Sequence, residues 1–173
     1  MEKRSSQVNV ISANLYLDVA KKYVGLKEVK GVKTEPTITN WLVKLGAWWR
    51  DDETPWCGVA LAAWLSEAGL AYPKKYFRAL EWLNYGYPVA FPKQGAIAVL
   101  SRKGGGHVGL VTGVDKLHLH VRILGGNQGN RVCEKWYPIN MVVGFRMPPY
   151  VYPVQAAMIA TIGEELYPKR YKV

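Results

Sequence analysis

Cys57 stands in Thr54-Pro55-Trp56-Cys57-Gly58, at the head of an apolar stretch with helical spacing, and a glycine-flanked His107 and then Asn127 follow it. A thiol at a helix start, an imidazole and an amide are the components of a cysteine nucleophile system, in which acyl transfer runs through a thioester. A free thiol is only about 3% thiolate at neutral pH. Lowering its pKa by about two units takes roughly 2.7 kcal/mol of preferential anion stabilisation. A helix N-terminus contributes about 0.3–1 kcal/mol, and up to about 2 in favourable geometry. An imidazolium from His107 is therefore expected to supply the remainder.

The surroundings of His107 suit that role. Gly104-Gly105-Gly106 precedes it, and Gly109 follows by two. If His107 opens a strand, Gly109 lies on the same face and leaves room there for substrate. The third member should accept from the second imidazole nitrogen. Asn127 is the first choice, at the end of an alternating run in which Leu119, Val121 and Ile123 are expected to face the core. Gln128 and Asp115 are substitutes, and a turn former beside two glycines is the alternative reading of Asn127. Cys57 N–H is one expected oxyanion donor. Asp51 and Asp52 should line the cleft or cap the helix. Trp41, Trp64 and Trp82 fall on apolar faces and are expected in the core, whereas Trp48, Trp49 and Trp56 flank the cleft as substrate contacts, with Gln128 beside them.

The three histidines, His107, His118 and His120, are the only pattern that suggests zinc. No His-Glu-x-x-His or paired Cys-x-x-Cys accompanies them, so neither metal nor cofactor is expected. Cys133 reads as a small strand residue, and two cysteines in 173 residues are too few for a disulfide scaffold. The formal charge of +10 calls for an anionic partner. Its basic residues are scattered and carry no zinc-finger or RNP-type pattern, which argues against nucleic acid and for an anionic polymer or envelope surface. The start, Met1 to Ser6, leads into no apolar run of the signal-peptide kind, and no stretch approaches a membrane span.

The elements that must hold these residues read as helices first and strands second. Helices are expected at Ala13 to Val24, Thr37 to Leu45, after Cys57 with Leu61, Trp64, Leu65 and Ala68 on one face, and at Tyr76 to Tyr85. Short strand signals follow at Ala96 to Leu100, Val108 to Val114, Leu117 to Leu124, Val132 to Tyr137 and Val142 to Met147. A last amphipathic helix is expected at Val154 to Leu166. The pattern predicts an α+β fold with the nucleophile helix packed on a small antiparallel sheet. We expect one catalytic domain over 1–173: a loosely ordered lead-in over 1–12, a core over 13–148, and a C-terminal helix with a basic tail over 149–173.

Pro55-Trp56-Cys57 with its Trp-containing helix, Pro92-Lys93-Gln94-Gly95 before a strand, Gly106-His107-Val108-Gly109 and Leu124-Gly125-Gly126-Asn127-Gln128 occur in an order that resembles papain-like cell-wall hydrolases of the CHAP and NlpC type. The likeness runs from Ala13 to Pro148, includes Leu80 to Gly86, and is greatest to a small endolysin-like subgroup of phages and prophages. It implies a papain-like fold and peptidoglycan hydrolysis at an amide in or next to the stem peptide. Cys57 would be the nucleophile, His107 the base and acid, and Asn127 the orienting residue. Two positions depart from the pattern: Gly95-Ala96 where many relatives have Gly-Asp, and Gly125 where many have glutamate. The expected setting is a monomer that accumulates in the host cytoplasm before reaching the wall. An injected amidase effector, a zinc amidase and a non-catalytic wall-binding module are the competing readings.

Overall fold

The computed structural model describes residues 11–31, 33–149 and 151–152. The C-terminal helix expected at 154–166 lies outside them, as does most of the lead-in.

A two-residue strand β1 (Ile11–Ser12) enters α1 (Ala13–Lys21), followed by α2 (Pro36–Lys44) and α3 (Cys57–Glu67). A 3-10 helix, Ala79–Asn84, takes the place of the α-helix expected over 76–85. Six strands then form one sheet: β2 (Tyr87–Val89), β3 (Ile97–Arg102), β4 (Gly105–Val114), β5 (His120–Gly125), β6 (Cys133–Pro138) and β7 (Val142–Met147), in the order β2-β7-β3-β4-β5-β6. Every neighbouring pair in it is antiparallel. A second short strand, β8 (Val151–Tyr152), lies parallel to β1. This is the α+β arrangement the sequence predicts. Strand β2 was not expected; its Pro88 cannot donate to a ladder and is accommodated on an edge strand.

Local chemistry explains the helix starts and stops. In α2, Pro36 occupies the first turn and the Glu35 carboxylate accepts from the Ile38 N–H at 3.0 Å. Helix α3 ends at Gly69, whose φ of +78° suits only a residue without Cβ strain. Its expected apolar stripe proved too narrow, because every residue from Cys57 to Leu65 is buried. The helix is covered by α1 and α2 and by β4 and β5. Small residues Gly58, Ala60, Ala62 and Ala63 let those neighbours approach from all sides.

Trp41, Trp64 and Trp82 are in the core, as expected. Helix α1 is tied to the sheet where Tyr16 Oη donates to the Gly95 carbonyl at 2.7 Å. A Cβ on Gly95 would lie 2.7 Å from Ala13 Cβ, so glycine is needed for that docking. Leu119 departs from expectation: the turn before β5 absorbs it and leaves it exposed, while Val121 and Ile123 are buried. Among the described residues, no helix is long and apolar enough to cross a membrane.

Candidate active site

Cys57 is the first residue of α3, and no side chain caps the helix at Trp56. The first amides of the helix are thus free for another acceptor. The sulfur occupies that position, lying against the backbone N–H groups of Val108 and Gly58 and its own amide. Gly58 is dictated by packing, since a Cβ there would sit 2.0 Å from the Tyr76 carbonyl oxygen. Val108 can offer its amide because β4 pairs with β3 over Gly105–Leu110 but with β5 only from Leu110 onward. The gap where β5 has turned away is where the thiol meets the residue next to His107.

His107 is held by Gln128, not by Asn127. The Gln128 Oε1 lies 3.0 Å from His107 Nε2 and also accepts from Tyr137 Oη at 2.9 Å. Its Nε2 donates to the carbonyls of Ile123 at 3.2 Å and Cys133 at 2.5 Å. Two carbonyl acceptors fix which end of the amide is nitrogen, so the oxygen faces the imidazole. His107 Nε2 must then carry a proton, and Nδ1 is left as the basic nitrogen. Nδ1 is buried and has no hydrogen-bond partner.

The choice of Asn127 fails through strand alternation. Continued extension from Gly125 would bring residue 127 to the face of His107. Asn127 instead has φ +55°, a left-handed conformation that breaks the alternation and returns Gln128 to that face. Asn127 is the turn former. Gly125 makes the same point: a Cβ on it would stand 3.1 Å from both Gln128 Cδ and His107 Nε2. The missing side chain at Gly125 leaves room for an amide arriving from three residues further on.

Burial dominates the electrostatics. His107 is 1% exposed and Cys57 5% exposed. Desolvation pushes the thiol above its ordinary value, against the pull of the surrounding amides and the Arg102 charge. Desolvation also lowers the imidazole to about 4, although the Gln128 hydrogen bond favours its charged form. Both shifts favour the uncharged form of the group. Burial thus works against the expected thiolate–imidazolium pair, because the loss of hydration outweighs the hydrogen bonds that favour each charged form.

The remaining expected site residues divide. Trp48 is 87% exposed, packed edge-on against Trp49 at 5.3 Å, and Trp49 packs on Phe77 at 5.5 Å. Trp49 is largely buried. Trp56 is fully buried, with Nε1 donating to Glu28 at 3.2 Å and its ring filling the space beside Gly126, so it is not a substrate platform. Asp52 is also buried, accepting from the amides of Val29 at 3.1 Å and Glu35 at 2.8 Å; it ties down the segment before α2 and does not line the cleft. The space expected above Gly109 is taken by β5, since a Cβ there would meet Ile123 Cγ2 at 2.6 Å. Asp115 is remote in function, paired with His120 at 2.9 Å.

Among the described residues, no three His, Cys, Asp or Glu side chains converge as metal ligands. Sequence reasoning missed Tyr137 and Arg102. Arg102 ends β3 two residues after Leu100, the partner of His107; only the strand register could have revealed it.

Comparison with curated proteins gave no match. Residues 47–127 match the family model of the CHAP domain, a segment that holds Cys57 and His107 and stops one residue short of Gln128. The buried thiol at the start of α3 and the strand histidine both fall within the segment that is similar to the CHAP domain, a likeness that supports a CHAP-type cell-wall hydrolase.

Proposed function

We propose that this chain is an endolysin-like peptidoglycan hydrolase that cleaves an amide bond in or next to the stem peptide through a Cys57 thioester. The observation that carries the reading is the orientation of the Gln128 amide, which leaves His107 Nδ1 as an unoccupied base on the residue beside the thiol's amide partner, Val108. Cys57 Sγ adds to the carbonyl carbon while its proton passes to His107 Nδ1. The oxyanion forms beside the Cys57 N–H at the start of α3. Collapse breaks the C–N bond, and the proton on Nδ1 leaves with the amine. Water then gives a proton to Nδ1 as its oxygen attacks the thioester, and that proton returns to sulfur as the acid departs. Gln128 accepts from Nε2–H throughout, so the same tautomer is regenerated after each turnover. Because both groups start neutral, proton transfer accompanies attack.

Exposed Trp48 is the contact for the substrate's apolar or sugar portion. The net positive charge supports approach to an anionic envelope, and activity should fall between low and physiological salt. In the lysin reading the protein accumulates in the host cytoplasm and meets the wall once the membrane is breached. Digesting purified sacculi with wild type and Cys57→Ala, with fragments identified by mass spectrometry, tests the chemistry. A free lactyl end with a new alanine amine identifies an amidase, and shortened stem peptides identify an endopeptidase. Lysis by Cys57→Ala at the wild-type rate would refute the reading.

A further inference from the structure

The strand register puts an exposed cation on each side of the buried His107. Leu100 pairs with His107, and Arg102 lies two residues further along β3, so it stands on the sheet face that carries His107. On the other flank, Ile123 pairs with Lys135 and Val121 with Tyr137. Lys135 Nζ lies 5.5 Å from the Tyr137 ring centroid, and that ring lies 5.8 Å from the His107 ring. Arg102 and Lys135 are both exposed. Neither joins an ion pair among the described residues, whose salt bridges use Lys21, Lys22, His120 and Arg122. The nearest carboxylate in sequence, Glu134, is engaged with Arg122 across the alternate positions of β5 and β6. The field at the site agrees with this placement: Arg102 acts on Cys57, His107 and Tyr137, Lys135 acts on His107, and no carboxylate acts on Cys57 or His107.

Two cations flanking a buried reagent, with no anion of the protein between them, favour an anion from the substrate. We propose that Arg102 and Lys135 bind a free carboxylate of the substrate peptide beside the scissile amide, so that the site selects acidic stem peptides over those whose carboxylate is amidated. The inference rests on the hydrolase reading above for its substrate. Arginine suits the task because its planar fork meets a carboxylate through two parallel hydrogen bonds.

The test is binding to full-length Cys57→Ala, which cannot turn the ligand over. Two synthetic stem peptides differing only by carboxylate against carboxamide are titrated calorimetrically at fixed ionic strength. The carboxylate peptide should bind about tenfold more tightly, as for one partly exposed charge-assisted hydrogen bond. Adding Arg102→Gln should bring the two Kd values together, Lys135→Gln should narrow the gap, and Arg102→Lys should restore part of it. Equal Kd values in Cys57→Ala, or a preference that survives both glutamine substitutions, overturn the proposal. Wild-type protein that leaves sacculi intact while Cys57→Ala keeps the carboxylate preference would defeat the hydrolase reading and spare this one.

Discussion

The β4–β5 hairpin carries an imidazole at each end, and the two sit in opposite surroundings. At the turn, His120 is exposed and paired with Asp115 at 2.9 Å, which holds that carboxyl below its usual range. At the other end, where β5 has left β4, His107 is buried, meets a neutral amide, and is pushed down to about 4. A carboxylate partner in water makes a surface ion pair of little energetic consequence. A fixed amide in a dry setting makes an oriented neutral base with one nitrogen free. Partner and burial separate the histidine we propose as the base from a surface contact; residue type does not.

The contrast should be sharpest in turnover. Cys57→Ala and His107→Ala should each lower kcat on sacculi by at least about 10³-fold, as loss of one member of a unit does. His120→Ala should stay within about twofold of wild type in the same turbidity assay. A comparable loss in His120→Ala would erase the distinction between the two ends.

Next in size is the amide. Gln128→Ala should cut kcat by about 10²-fold, the scale on which a misplaced catalytic group acts. It should also cost about 1–3 kcal/mol of stability in urea, because Tyr137 Oη and His107 Nε2 lose their acceptor. Asn127→Ala should instead keep kcat within a few-fold and lose about 1–2 kcal/mol through its left-handed backbone. The reverse ranking in kcat would return the orienting role to Asn127.

Acid titration reports on the buried imidazole, His107. His107 has a folded pKa below its ordinary value, so the unfolded chain takes up that proton first as pH falls. Its stabilising contribution is complete above the ordinary imidazole value and is lost on acidification towards about 4, a difference of about 3 kcal/mol. Wild type minus His107→Ala, followed by urea midpoint over that window, should show the slope. Alkylation of Cys57 by iodoacetamide should likewise rise only above the ordinary thiol range, since burial raises the thiol. A plateau of fast alkylation near neutrality would indicate a preformed ion pair. Smallest of all, Asp115→Asn should leave the urea midpoint indistinguishable from wild type.

Much of this organisation is legible in the residues themselves. Helical spacing in α1 and α2, Gly69 after α3, and alternation in β5 and β7 locate their elements within a few positions, because local periodicity and breakers act over one or two turns. The chemistry-bearing types in order, Cys57 then His107, mark the pair we propose as reagents, and both lie in the segment that matches the CHAP family model. Sequence reasoning fails where partners arrive from a distance. Trp56 and Asp52 look like cleft residues because they flank Cys57, yet the ring is taken up by Gly126 and the carboxylate by the amides of Val29 and Glu35. Periodicity also cannot say that α3 is enclosed from every side.

The sequence alone determined that a thiol would open a helix and that a glycine-flanked histidine would stand in a strand of an antiparallel sheet. Tertiary structure decided which amide holds the imidazole, which ring nitrogen is left without a partner, and that burial favours the uncharged form of both groups. Those outcomes depend on one left-handed residue, on where β5 parts from β4, and on how completely water is excluded. Each is a property of packed neighbours many residues apart, and no local pattern encodes it.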